Sequence, residues 1–349
     1  MRNIALFCVL LFCVQALFAQ EQLAEEQIIQ DQFAEEQLPG GAEEQESLTQ
    51  ADNPAESGES NAGVVSSSSF TLQISTLPEA KLGFTQRFII PFLQGESPLT
   101  TDNNINIGLS GEVSPISLNG IVEAVWTPIA FFMFSLGGKA GSGWYLEPLN
   151  AVGIGINRAD DITGNAELDT SPFDGLLWKV HAGGTIQMDL AALIPGDWNH
   201  IVIQSYHEIN YKGYSRAQAG ESWYFENDFG ENCNGLNYYG NLTIGYQMPQ
   251  SPVLNAVALR AEGDLYLYDS ILSNRSKWGD ERMRWTFSAI YNFAISKKFN
   301  LMVIGQLRTL RNYTDTDWED LYYRNRTIDT DTPLRLVPYR VAAVLSYKL

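Results

Sequence analysis

Leu254-Asn-Ala-Val-Ala-Leu-Arg-Ala-Glu-Gly-Asp-Leu-Tyr-Leu-Tyr268 decides the fold. Val257, Leu259, Ala261, Gly263, Leu265 and Leu267 share one parity; Ala258, Arg260, Glu262, Asp264, Tyr266 and Tyr268 share the other. Successive side chains of an extended chain point to opposite faces. A period of two over this length therefore predicts a β-strand with one apolar and one charged face. After a polar connection at 269–281 the pattern returns in Arg282-Met-Arg-Trp-Thr-Phe-Ser-Ala-Ile-Tyr-Asn-Phe-Ala294. There Met283, Trp285, Phe287, Ala289, Tyr291 and Phe293 oppose Arg282, Arg284, Thr286, Ser288 and Asn292. Ser296-Lys-Lys-Phe-Asn300 then turns tightly into a third run at 301–313.

The same grammar extends outward to both sides. Leu82, Phe84, Phe88, Ile90 and Phe92 oppose Lys81, Thr85 and Arg87. The stretch 105–126 changes parity at Ser114-Pro115, which fits a β-bulge inside one strand or a turn between two. Further runs lie at 129–145, 175–193, 200–214, 236–248 and 334–349. The connections alternate in length: 94–103, 146–174, 215–234, 269–281 and 314–332 are long, and 127–128, 195–198, 249–252 and 296–300 are short. The expectation is an all-β fold, an antiparallel transmembrane β-barrel of about ten strands over residues 70–349, with the short turns and both termini on one side. If Pro115 marks a turn and 149–157 is a strand, the count becomes twelve. The apolar faces would meet lipid. Trp126, Trp198, Phe293, Phe299 and Tyr347 near short turns, and Trp144, Trp223, Trp278, Trp285 and Trp318 near long connections, would form two girdles.

The N-terminus is of another texture. Residues 1–19 have a basic Arg2, an apolar run and a small residue at Ala19, as in a secretory signal peptide. Residues 20–69 hold 12 of the Asp and Glu side chains and no Lys or Arg, with Gln22-Leu-Ala-Glu-Glu-Gln27 echoed at 32–37. High charge with few apolar residues predicts a disordered segment ending in a serine-rich linker at 66–69. Its functional reading is an acidic arm for a basic periplasmic partner. Cys8 and Cys13 fall in the signal, which leaves Cys233 as a thiol in a polar loop; neither a disulfide framework nor a cysteine zinc site follows.

Here the chain resembles outer-membrane β-barrel proteins of diderm bacteria. The resemblance covers 70–349 and rests on Tyr291-Asn-Phe-Ala-Ile-Ser-Lys-Lys-Phe-Asn-Leu-Met-Val303 and on the alternating C-terminal strand 339–349. Such barrels often finish on an aromatic residue that the assembly machinery reads; this chain ends on Leu349, with Tyr347 two residues earlier. The resemblance implies an outer-membrane location, with lipid and the assembly machinery as partners.

The inward face is where chemistry would reside. The expected lumen-lining residues are Arg87, Glu123, Lys179, His181, Asp189, Glu208, Lys212, Arg260, Glu262, Asp264, Arg282, Arg284, Arg308 and Arg340. Lys81 and Lys348 are expected at the periplasmic rim. Such a set can be a salt-bridged network filling a narrow lumen, or a hydrated basic channel favouring anions. No catalytic set is recognised among His181, His200 and His207, no metal or cofactor site is indicated, and the net charge of −19 argues against nucleic acid. The expectation is a non-enzymatic, porin-like or solute-uptake barrel. The alternative is a surface adhesin or host-contact protein acting through its long loops.

Overall fold

The computed structural model describes residues 63–349 apart from 77–79, 148–150, 160–165, 195, 197, 199, 219–220, 227–231, 249–250, 268–278, 280–281 and 315–326. The signal segment 1–19 and most of the acidic segment 20–69 therefore lie outside the described residues. Twelve strands form one closed antiparallel barrel. They are β1 (Val65–Ser75), β2 (Ala80–Pro91), β3 (Asn104–Ser114), β4 (Ser117–Ile129), β5 (Phe132–Gly143), β6 (Leu177–Asp189), β7 (Ile201–Tyr214), β8 (Gly235–Gln247), β9 (Leu254–Tyr266), β10 (Arg284–Ala294), β11 (Phe299–Arg311) and β12 (Leu334–Lys348). Each pairs with its sequence neighbours, and β1 closes the ring by pairing with both β2 and β12.

The strand count corrects the expectation of about ten. One added strand is β1, which takes in the serine-rich stretch 66–69 expected as a linker. Phe70, Leu72 and Ile74 face outward and are exposed, while Gln73 is buried on the other face. Serine is small and polar, which suits the inner wall as well as it suits a linker. The other added strand comes from Pro115. Ser114 and Ser117 are direct partners, so Pro115-Ile116 is a two-residue hairpin turn and not a bulge. Residues 149–157 supply no barrel strand; their extended pieces, Ala151–Val152 and Ile154–Ala159, belong to small sheets outside the barrel wall.

An extra strand at the start moves one connection across the molecule. The connection 92–103 lies on the same side as the start of β1 and the end of β12, with the turns 130–131, 190–200, 248–253 and 295–298. Its Leu99 carbonyl accepts from Ala130 N–H of the neighbouring turn at 2.9 Å. The other side carries 144–176, 215–234, 267–283 and 312–333, and also the short links 76–79 and 115–116.

The wall is inside-out relative to a soluble protein. Leu82, Phe84, Leu109, Val122, Leu136, Val180, Leu242, Leu259, Phe287 and Val341 are exposed, whereas Thr85, Glu112, Asn119, Gln204, Glu208, Asn241, Arg260, Glu262, Ser288 and Arg340 are buried. In hydrocarbon a closed ring of strands satisfies every backbone donor and acceptor, and apolar side chains meet lipid without penalty. Aromatic rings collect toward the two ends of the outer surface. Trp126 stacks on Phe134 at 5.7 Å and Phe299 meets Tyr347 in a tilted contact at 4.8 Å near the terminal side; Trp178 stacks on Tyr211 at 5.0 Å and Trp285 on Phe287 at 6.3 Å near the long-loop side. Of the five aromatics expected in the second girdle, Trp285 takes that place. Trp223 is instead only 1% exposed, and Trp278 and Trp318 lie outside the described residues.

The interior is not polar throughout. On β9–β12, toward the terminal side, Ala258, Ile290, Met302, Ile304 and Val344 form a buried apolar cluster. They meet as cross-strand partners, Ala258 with Ile290, Ile290 with Ile304, and Met302 with Val344. Here β11 is apolar on both faces, and the inner wall changes character along the axis.

Candidate functional site

The expected lumen residues separate into groups. Lys179 Nζ lies 3.1 Å from Glu208 Oε1, and Glu208 also accepts from Tyr206 Oη and Asn210 Nδ2, both at 2.7 Å. Glu262 accepts from Tyr239 Oη at 2.7 Å and Ser288 Oγ at 3.3 Å, with Arg260 Nη1 at 3.8 Å. Asp264 accepts from Arg284 Nε at 3.0 Å and Nη2 at 2.8 Å. Tyr339 receives two guanidiniums on its ring, Arg308 at 4.7 Å and Arg340 at 5.3 Å. A bulge in the pairing of β11 with β12 falls at this point. His181 Nε2 is 3.6 Å from Glu123 Oε1.

Lys179, Lys212, Glu262, Asp264, Arg284 and Arg308 line a cavity of about 70 Å³ in the long-loop half. That is room for several waters at about 15 Å³ each, so water as well as protein can balance these charges. The other expected residues do not line it. Arg87 is half-buried on β2, with Ser67 and Gly108 as its strand partners. Arg282 precedes β10 and donates its backbone N–H to the Gly279 carbonyl at 3.0 Å. Asp189 sits at the opposite end of β6, where it pairs with His200 Nδ1 at 2.9 Å and caps the short 3-10 turn Leu190–Ala192. That Asp–His pair went unrecognised because its members lie on opposite sides of a turn. Among the described residues no group of three metal-ligating side chains gathers.

The largest feature absent from the sequence reading lies in the long connections. Ile154–Ala159 and Ala166–Asp169 from connection 144–176 join Ser222–Phe225 and Asn232–Cys233 from connection 215–234 in a four-stranded sheet. Ile154, Ile156, Trp223 and Phe225 pack on Leu177 and Tyr214, which open β6 and end β7. The sheet therefore sits at the mouth. Trp223 Nε1 donates to Asn234 Oδ1 at 3.0 Å, which satisfies its one polar group. Cys233, expected as a thiol in a polar loop, is buried within the same sheet.

One residue of this connection enters the barrel wall's own network. The Glu226 carboxylate takes Lys81 Nζ at 3.3 Å, Asn119 Nδ2 at 3.0 Å and the Ser117 hydroxyl, and its N–H donates to the Gly153 carbonyl at 2.9 Å. Lys81 thus belongs to the long-loop mouth, not the periplasmic rim, because β1 precedes β2 and reverses its direction across the membrane. Lys139 stands over the Phe225 ring at 5.2 Å, and Lys212 Nζ donates to Asn232 Oδ1 at 2.9 Å. Neither Glu226 nor Lys139 was singled out by sequence. The inward parity of Lys139 on β5 was the available signal.

A closed barrel with an apolar outside and a polar inside is the architecture of a bacterial outer-membrane protein. No family model matches the chain. No curated protein matches it. Among solved structures it is similar to the KdgM porin, with 10% identity, a TM-score of 0.34, and 82% of this chain and 99% of that one covered. The NanC porin gives 8% identity and a TM-score of 0.36 over 82% of this chain and 100% of that one. The β domain of the Bordetella autotransporter BrkA gives 10% identity and a TM-score of 0.38 over 82% and 99%.

Proposed function

We propose that the chain is a narrow outer-membrane channel for small solutes, with a basic lumen that favours anions. The observation that carries this reading is the polar cavity bordered by Lys179, Lys212, Arg284 and Arg308. Rings of Arg and Lys select anions. Twelve strands fall between the side-chain-filled barrels of about eight strands and the open ones of 16–18, so the expected conductance is small. The apolar layer on β9–β12 lies on the terminal side of this cavity. Lipid is the partner of the outer belt, the assembly machinery that of the C-terminal strand, and a basic periplasmic protein that of the acidic segment. This reading assigns no catalysis and no cofactor.

The test is single-channel recording in planar bilayers under a potassium chloride gradient. Discrete small steps with a reversal potential on the anion side support the reading, and Arg284→Gln with Arg308→Gln should move that potential toward cations. Protein that is folded but gives neither steps nor liposome swelling refutes it. The adhesin reading draws on connection 312–333, whose base is built by a Tyr313–Ile328 bridge and the Asp329 turn. Deleting 315–326 without loss of cell or matrix binding would remove that reading.

A further inference from the structure

The register of β5, β6 and β7 brings three inward lysines into one row. Lys139 is the direct partner of Lys179, and Lys179 is the direct partner of Lys212. Adjacent strands lie about 4.8 Å apart, and like charges facing each other across strands destabilise a sheet. Lys81 joins them at the same mouth, since it shares Glu226 with Ser117 and Asn119 of β4. Lys179 is bridged to Glu208 of the wall.

The other three lysines are met by one connection. Phe225 offers its ring face to Lys139, Glu226 its carboxylate to Lys81, and Asn232 its amide oxygen to Lys212. All three groups are electron-rich. The connection thus presents to the lysines what an anionic solute would present. Glu226 holds a left-handed φ of 46°, which a non-glycine residue keeps only when its surroundings over-determine it.

We propose that Lys81, Lys139, Lys179 and Lys212 form a recognition collar for small dianionic solutes, a dicarboxylate or a phosphate monoester, and that Phe225, Glu226 and Asn232 fill this collar at rest and yield it to such a solute. The inference rests on the channel reading of the lumen and deepens it. Charge sets the solute class. With Glu226 withdrawn, the four ammoniums keep Glu208 and Glu112 as nearby carboxylates, and the adjoining cavity adds Arg284 and Arg308 against Glu262 and Asp264, so an excess of two positive charges remains. A dianion balances that excess and a monoanion does not. Because the same connection carries the sheet over the mouth, recognition and opening become one event: the solute binds the displaced state better than the covered one.

Cys233 reports on the displacement. It is 3% exposed and adjoins Asn232 in the covering sheet. The intact protein in detergent is treated with a maleimide, and labelling of the Cys233 peptide is followed by mass spectrometry. Succinate and glycerol phosphate are compared with acetate and chloride at equal ionic strength and about pH 7.5, where the first two are dianions. The expected result is a saturable acceleration of about tenfold or more with either dianion and none with acetate. Lys139→Gln with Lys212→Gln should abolish that acceleration, and Glu226→Gln should raise labelling without any dianion. Labelling indifferent to dianions, or raised equally by acetate, overturns the proposal. If Glu226→Gln does not fold, the wild-type comparison alone decides. Dianion-dependent labelling in protein that conducts nothing would keep the collar and sink the channel; conduction with indifferent labelling would do the reverse.

Discussion

Glu208→Gln removes the carboxylate that bridges the middle lysine of the row. Glu208 is 2% exposed and Lys179 16% at the side chain, so the pair is mostly desolvated. Breaking a buried pair by neutralising one partner costs about 3–5 kcal/mol, because an uncompensated charge stays behind. Two features lower this figure. The Gln carbonyl can still accept from Tyr206 or Asn210, and the Lys179 ammonium borders a cavity with room for water. The expected loss is therefore about 2–3 kcal/mol. The assay is equilibrium urea unfolding in lipid vesicles, followed by tryptophan fluorescence and by heat-modifiable gel mobility, with an unchanged denaturant slope. Lys179→Met should be milder than Glu208→Gln, because it also relieves repulsion from Lys139 and Lys212, its direct partners. The double variant should recover at least about 1 kcal/mol relative to additivity. A Glu208→Gln loss below about 0.5 kcal/mol, or strict additivity with Lys179→Met, would refute the reasoning.

Three further outcomes are expected. Leu242→Arg places a charge on the outward face of β8, where Leu242 is 46% exposed; about 2–4 kcal/mol should be lost, and the fraction reaching the heat-modifiable folded form should fall sharply. Gly153→Ala would put a Cβ 1.9 Å from the Ile116 carbonyl oxygen and 2.7 Å from Trp144 N, both backbone atoms; limited proteolysis should then cut within 144–176 while the barrel core stays resistant. Asp329 is the pH-sensitive case. It accepts from the N–H of Asp331, the Thr332 hydroxyl and the N–H of Thr332, which together hold its carboxyl below the usual range. A lowered folded-state pKa favours the ionised turn, so this contribution is complete above the ordinary Asp value of about 3.9 and is lost as pH falls through the lowered one. Cleavage within 312–333 by an acid-tolerant protease should be flat above about pH 5 and rise only below about pH 4 relative to Thr332→Ala, which should be cut faster throughout.

Much of the wall was legible because lipid makes a simple demand. An outward residue must be apolar wherever a strand crosses, so parity alone separates Val257, Leu259 and Leu242 from Arg260, Glu262 and Asn241. The inner face obeys no such rule. It accepts Arg340 on β12 and, one inward position further along the same strand pair, Ile304 on β11, as long as each finds a neighbour. The apolar layer of β9–β12 therefore left no mark that parity could read. Nor did the covering sheet, since strands of two or four residues are too short to show a period. Glu226 was invisible for a different reason: its partners Lys81, Ser117 and Asn119 lie more than a hundred residues away, and only the closed ring brings them to one mouth.

The parity shift at Pro115 shows why strand count was the weak point, and why it matters for function. A one-residue bulge and a two-residue hairpin turn both move the apolar set from odd to even positions. Periodicity cannot tell them apart, although one leaves the chain running in the same direction and the other reverses it. The Ser114–Ser117 pairing settles the matter, and Val113 and Leu118 face outward as partners on different strands. Reading Pro115 as a bulge removes one strand, and reading Ser66–Ser69 as linker removes another. The two errors cancel for everything after Pro115, which is why the long connections from 144 onward were correctly grouped. They do not cancel between β1 and Pro115, where the chain direction is inverted. Both Lys81 and connection 92–103 fall in that window. Lys81 was assigned to the wrong rim for this reason alone, and with Lys81 at the wrong rim no lysine collar could be drawn.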